Sequence, residues 1–302
     1  MGRTKRLKEL TIKDNFMFGA VMTMPENCKD FLEMVLQTKL SEVVVSKEKS
    51  MIYHPEYKGV RLDVYANDEE RTHYNVEMQV SKKPALGRRS RYYQSQIDME
   101  LLVSGEEYEE LPDTYVIFLC DFDPFGQKKY RYTFSSECKE CKESKLQDGR
   151  CTIFLSTHGE NEDEVPKELV TFLRFVKAGL QESEQNFHDD YVERLQRTIR
   201  EIKRDREMEE RFMILEEMLK DERKEGRIEG REEGRAEGAR LSLCTILECK
   251  GRIPDMFRKQ IETEQNLEVL KNWLVLAAKS ESMEAFLAEA ESVKGRQCGQ
   301  KE

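Results

Sequence analysis

Val60-Arg61-Leu62-Asp63-Val64 and, after the turn-forming stretch from Asn67 to Thr72, Asn75-Val76-Glu77-Met78-Gln79-Val80 decide the reading of this chain. Both runs alternate strictly. Val60, Leu62 and Val64 fall on one face of a strand, as do Val76, Met78 and Val80, while Arg61, Asp63, Asn75, Glu77 and Gln79 fall on the other. A hairpin whose loop runs from Asp68 to Thr72 sets Val64 beside Val76, Leu62 beside Met78 and Asp63 opposite Glu77. The apolar face belongs to a core, and two carboxylates meet on the polar one.

Upstream, Val43-Val44-Val45 and Met51-Ile52-Tyr53 complete a reading of three consecutive strands between Glu42 and Val80. Two short helices precede them, from about Thr11 to Leu40 with a break at Pro25, because Phe16, Phe18, Val21, Phe31, Met34 and Val35 recur at helical spacings. Downstream, the basic connection Ser81 to Gly87 leads to a helix predicted over Arg88 to Val103 that ends near Gly105. The uninterrupted apolar run Tyr115 to Cys120 has strand length and suits a strand covered on both faces. The order is therefore αβββαβ. Weaker alternation over Lys129 to Phe134 and Cys151 to Leu155, around Gln147-Asp148-Gly149, predicts an added hairpin.

Helices are expected from there to the end. Tyr191, Leu195, Ile199, Ile202, Phe212, Leu215 and Leu219 step by three and four, the pattern of a helix-pairing or coiled-coil segment. A four-residue repeat follows, Lys224-Glu225-Gly226-Arg227, Ile228-Glu229-Gly230-Arg231, Glu232-Glu233-Gly234-Arg235 and Ala236-Glu237-Gly238-Ala239. Each glycine costs about 1 kcal/mol against alanine in a helix, so the repeat reads as a linker or a partner-dependent helix. Leu241 to Glu291 regains helical spacing as a small cap. The expected division is 1–180, 181–240 and 241–302.

Over the full 302 residues, apolar residues make up 38% and charged residues 36%, so part of the chain is solvated helix. The net charge of −10 excludes a protein coated in basic charge and leaves nucleic-acid affinity to local clusters. Lys82, Lys83, Arg88, Arg89 and Arg91 form such a cluster, with no acidic residue among them and Tyr92 and Tyr93 beside them. This is the expected phosphate-gripping edge, giving salt-sensitive affinity without sequence preference. The eight cysteines are too sparse and irregular for a disulfide scaffold and read as reduced thiols; Cys138 and Cys141, with Cys151 and His158 beyond, have a poor spacing for zinc. No apolar run approaches a membrane span and no signal segment follows Met1 to Lys8, so a soluble, cytoplasmic protein is expected.

The chemistry rests on Asp63, Glu77 and Gln79. Two carboxylates and a backbone carbonyl such as that of Met78 suit Mg²⁺ and leave positions for water and a phosphate oxygen. The ion would lower the pKa of its water and neutralise charge growing on the phosphate, and Gln79 would orient that water. The competing reading is a strand face bearing ordinary polar residues.

With this αβββαβ order, the triplet Asp63, Glu77 and Gln79 resembles the active site of the PD-(D/E)XK nuclease superfamily, an Asp on the second strand and Glu-x-Lys on the third. More narrowly, the chain is similar to the Rpn family of recombination-promoting nucleases, also described as putative transposases. Lys13-Asp14-Asn15-Phe16-Met17-Phe18, Arg88 to Tyr93, Asp148-Gly149 before Phe154-Leu155, and the Glu-Gly-Arg repeats carry that likeness, which extends to about Arg240. The resemblance implies an α/β fold, a restriction-endonuclease-like core with a mixed sheet followed by a helical C-terminal extension. It implies a Mg²⁺-dependent DNA endonuclease, with Mn²⁺ as a substitute, that promotes recombination. Asp63, Glu77 and Gln79 would be catalytic, and Asp63, Glu77, the Met78 carbonyl and, as an auxiliary, Asp14 would hold metal. Lys82, Lys83, Arg88, Arg89, Arg91 and Tyr92 would bind DNA, and the C-terminal helices would join copies of the chain into a homo-oligomer. One departure stands out. Gln79 occupies the lysine position, and a neutral amide brings no positive charge to the transition state; Lys82 and Arg88 are the candidates to replace it. The alternative function is a catalytically degenerate nuclease fold acting as a DNA- or protein-binding module.

Overall fold

The computed structural model describes residues 5–47, 49–51 and 60–298. The expected strand residues Ile52 and Tyr53 lie outside the described residues. The chain forms two compact units, Met1–Phe212 and Met213–Glu302.

The strands of the first unit are, in chain order, β1 (Val43–Lys47), β2 (Ser50–Met51), β3 (Val60–Arg61), β4 (Val64–Asp68), β5 (His73–Gln79), β6 (Thr114–Cys120), β7 (Arg131–Phe134) and β8 (Arg150–Ser156). Six make one mixed sheet in the order β1-β4-β5-β6-β8-β7, and β2 pairs with β3 separately. The β5, β6 and β8 strands are mutually parallel, while β4 and β7 run antiparallel to their neighbours β5 and β8, and β1 antiparallel to β4. Helices α1 (Asn15–Met22), α2 (Pro25–Leu36), α3 (Leu86–Leu101), α4 (Lys167–Lys177) and α5 (Asp190–Ile202) complete the layers.

Alternation along β5 sorts the two faces. Tyr74, Val76 and Met78 enter a core shared with α1, α2, α4 and α5. On the opposite face Val116, Phe118 and Cys120 of β6 and Phe154 of β8 pack with Leu86, Tyr93 and Ile97 of α3. β6 is thus buried on both faces, as its apolar run predicts. The face that reads as polar is not open to solvent: Asn75, Glu77 and Gln79 retain 0%, 1% and 5% exposure.

The β4–β5 hairpin has the expected register, Val64 opposite Val76. Asp68 shapes its turn by accepting from the Thr72 backbone N–H at 2.9 Å and the Tyr74 hydroxyl at 2.7 Å. The alternation fails one residue further out. The chain bends at Leu62-Asp63, Leu62 donates its N–H to the Lys49 carbonyl at 2.9 Å, and its side chain joins the α3-side cluster instead of lying beside Met78. β7 and β8 form the expected hairpin, antiparallel with Arg131 opposite Leu155, and β8 also pairs in parallel with β6, so the hairpin extends the sheet with β8 as a buried interior strand and β7 at its edge.

Val192, Leu195, Ile199 and Ile202 place α5 in the core of the first unit, and the Tyr191 hydroxyl donates to the Asn27 carbonyl at 2.9 Å. The glycine repeats lie within α6 (Arg206–Glu248). In the second unit α7 (Asp255–Thr263), α8 (Leu267–Lys279) and α9 (Met283–Cys298) gather a core around Trp273, with Phe257 5.2 Å from it between ring centroids. Among the described residues, no helix is long and apolar enough to cross a membrane.

Gly149 and Gly230 should respond to alanine with opposite signs. Gly149 has φ +63°, its carbonyl accepts from Thr114 N at 2.8 Å, and a Cβ there would collide with the Asp113 carboxylate. Gly149→Ala should destabilise by about 1–3 kcal/mol. Gly230 has nothing within 4 Å of an added Cβ, and its replacement should stabilise α6 by up to about 1 kcal/mol. Calorimetric unfolding of the full chain checks both, and shifts of the same sign would contradict this packing.

Candidate active site

Asp63 sits at the bend that leads into β4, and Glu77 points from the α3 face of β5. Each is tied to the other's strand. The Asp63 backbone N–H donates to Glu77 Oε1 at 3.3 Å, and the Met78 backbone N–H donates to Asp63 Oδ2 at 3.1 Å. The two carboxylates therefore lie side by side at the end of the hairpin ladder, where the Asp63 carboxylate takes the N–H of a strand residue.

α3 closes over them. Its N-cap Ala85 has φ 62°, which turns the chain onto β6, and Leu86, Tyr93 and Ile97 recur at helical spacing on its inner face. Arg89 belongs to that stripe. Its Nη2 lies 2.7 Å from Glu77 Oε2, its Nη1 donates to Gln79 Oε1 at 2.9 Å, and its Nε donates to the Tyr93 hydroxyl at 2.6 Å. The guanidinium also lies over the Tyr93 ring at 5.0 Å and the Phe118 ring at 5.7 Å. Gln79 is held at both ends: its Oε1 accepts from Arg89, and its Nε2 donates to the Met78 carbonyl at 2.9 Å. The amide expected to orient water is turned to protein groups.

Burial and the neighbouring Asp63 carboxylate raise the Glu77 pKa to about 8, with the Arg89 guanidinium pulling the other way. Burial and the Glu77 charge push the Tyr93 hydroxyl up to about 12. Two adjacent carboxylates with one cation favour one retained proton, which belongs to the pair. Asn75, two residues upstream on the same face, is fully buried, and its side chain beside Glu77 favours the ionised carboxylate.

The remaining sequence candidates separate by exposure. Lys82, Lys83, Arg88 and Arg91 are exposed along the connection and the outer side of α3, Tyr92 is half-buried, and Arg89 alone of the basic cluster turns inward. Asp14 is engaged elsewhere. Its carboxylate accepts from Thr11 N at 2.7 Å and from Lys5 Nζ at 2.7 Å, clamping the turn before α1. The inward role of Arg89 was readable from its spacing to Leu86, Tyr93 and Ile97, but the surrounding run of charge hides that stripe.

The donor set fits a hard divalent cation. It consists of oxygens, its paired carboxylates repel each other, and a cation would take the place of the retained proton. Two carboxylates suit Mg²⁺, which keeps several waters. No group of three or more His, Cys, Asp or Glu side chains poised for a metal occurs among the described residues, near Cys138 and Cys141 included.

A family model, PD-(D/E)XK nuclease family transposase, matches residues 14–236, a span that contains the whole sheet, α3 and the Asp63–Glu77 pair. The chain belongs to this family, whose fold is restriction-endonuclease-like and whose nucleases typically use divalent metals. No curated protein and no solved structure matches the chain.

The raised Glu77 pKa has a signed consequence for stability. The folded site holds a proton that the unfolded chain releases near pH 4.5, so in metal-free solution Glu77 lowers stability progressively as pH rises from about 5 through about 8. Urea unfolding in EDTA at pH 5.5, 7 and 8.5 should show Glu77→Gln gaining on the wild type at each step. A difference independent of pH would contradict the shift.

Proposed function

We propose that the protein is a metal-dependent DNA endonuclease that hydrolyses phosphodiester bonds, and that its cleavage serves DNA recombination in keeping with its transposase-type family. The observation that carries this reading is the Asp63–Glu77 pair beneath a helix whose leading edge is lined with exposed cations. Asp63 and Glu77 would hold the metal, with the second lone pair of the Met78 carbonyl as a further donor. Bound there, Mg²⁺, or Mn²⁺ in its place, supplies Lewis-acid neutralisation of the phosphate and a lowered pKa for water.

The start of α3 favours a polyanion. Its first turn has no acidic residue and contains Arg88 and Arg89, a placement that opposes the helix dipole unless an anion lies nearby. Lys82, Lys83, Arg88 and Arg91 would grip the DNA backbone, and Tyr92 would pack against it. In the second unit's part of α6, exposed Met213, Ile214, Met218 and Ile228 support homo-oligomer formation through the C-terminal helices. The neutral Gln79 favours the second reading, a catalytically degenerate fold retained for binding DNA or protein.

Nicking of supercoiled plasmid separates the two. The full chain should nick with Mg²⁺ or Mn²⁺ and not with EDTA, and Asp63→Ala and Glu77→Ala should each lose at least about 100-fold. Lys83→Ala and Arg88→Ala should instead weaken DNA binding, each lowering the salt slope by about 0.9 per lost phosphate contact. An inert wild type that still binds DNA would establish the binding module, and nicking that survives both carboxylate substitutions would place the chemistry elsewhere.

A further inference from the structure

We infer that Arg89 is the catalytic cation of this site, and that Gln79 is the positioning residue that aims it. The inference rests on the hydrolase reading above and specifies how charge is handled within it.

The geometry supplies the argument. Phosphodiester hydrolysis piles negative charge onto the non-bridging phosphate oxygens, and a prealigned cation in a water-poor site stabilises that charge most. Position 79, on the same strand face as Glu77, is a neutral amide. Its Oε1 instead receives Arg89 Nη1 at 2.9 Å, while its own Nε2 is anchored on the Met78 carbonyl at 2.9 Å. The Tyr93 hydroxyl, 2.6 Å from Nε, and the aromatic faces of Tyr93 and Phe118 fix the plane of the guanidinium. Glu77, Gln79 and Tyr93 take three of the five N–H donors an arginine has, and 27% of the side chain remains exposed. Two N–H donors are left for phosphate oxygens. A guanidinium keeps its charge at any working pH, so Arg89 acts as a fixed charge and not as an acid.

In the step it assists, a water oxygen bonds to phosphorus and the bond from phosphorus to the leaving sugar oxygen breaks with its electron pair. The water's proton passes to solvent, and the leaving oxygen takes a proton from solvent. Arg89 neither gains nor loses a proton.

A cation this close to the carboxylate pair also opposes metal binding, and this gives a readout apart from cleavage. Removing its charge favours a doubly charged ion more than the single proton that competes for the pair, whereas a scaffolding arginine would weaken the site when removed.

The test uses the full chain with Arg89→Gln, Arg89→Lys, Asp63→Asn and the relocation double Gln79→Lys/Arg89→Gln, with folding checked by circular dichroism. Plasmid nicking and Mn²⁺ binding, followed by the ion's electron paramagnetic resonance signal, are both measured. Arg89→Gln should lose about 100-fold in nicking, the effect of removing one transition-state donor, and bind Mn²⁺ several-fold more tightly. The double variant should recover at least ten-fold of the nicking and return Mn²⁺ affinity toward the wild type. If Arg89→Gln does not fold, Arg89→Lys decides: nicking within about ten-fold of the wild type supports the inference, and a loss equal to that of Asp63→Asn overturns it. An active wild type with an equally active Arg89→Gln overturns the inference alone, as does weakened Mn²⁺ binding in that variant. A wild type inert with every metal overturns the hydrolase reading and this assignment with it.

Discussion

Two hydrogen bonds between backbone and carboxylate, Asp63 N to Glu77 Oε1 and Met78 N to Asp63 Oδ2, hold the centre of this protein together. They take over from the hairpin ladder where β4 begins and bend the chain at Leu62-Asp63, so that two like charges lie under a helix. Buried carboxylates are costly unless paired and hydrogen-bonded. The rest of the α3 face answers that demand: Arg89 supplies the counter-charge, Gln79 and Tyr93 hold Arg89, and Phe118 gives its guanidinium a flat apolar bed.

The two faces of the sheet consequently do different work. The side built from α1, α2, α4 and α5 is an ordinary apolar core around Phe18, Phe31, Phe172 and Phe175, and sets stability. The α3 side mixes aromatic packing with an ionisable cluster. Charge there is balanced on a proton, a guanidinium and the place a divalent ion would take. That balance links the stability of the metal-free fold to pH, and it joins the exposed cations of the Ser81–Arg91 stretch to the carboxylates through one helix.

Much of this was legible in the sequence. Alternation in two short runs set the Val64–Val76 register and brought Asp63 to Glu77, and the apolar run Tyr115 to Cys120 marked a strand covered twice. Other features were hidden for physical reasons. A polar strand face looks the same whether it meets water or a helix carrying an arginine, so the burial of Asn75, Glu77 and Gln79 left no trace in periodicity. The bend at Leu62-Asp63 comes from a side chain taking a backbone N–H, which no alternation rule records. The parallel pairing of β8 with β6 is a long-range choice, and the stripe of α5 shows that it is amphipathic without showing that it packs on α1 and α4.

If Asp63 and Glu77 form one site, a divalent ion bound there would replace the proton that the pair retains. Calorimetric titration of Mn²⁺ into the full chain near pH 7, repeated in two buffers of different ionisation enthalpy, counts the protons released on binding. One binding event with close to one proton released is expected, the event absent in Asp63→Ala and the proton release absent in Glu77→Gln. Binding that is unchanged in Asp63→Ala, or that releases no proton in the wild type, would contradict it.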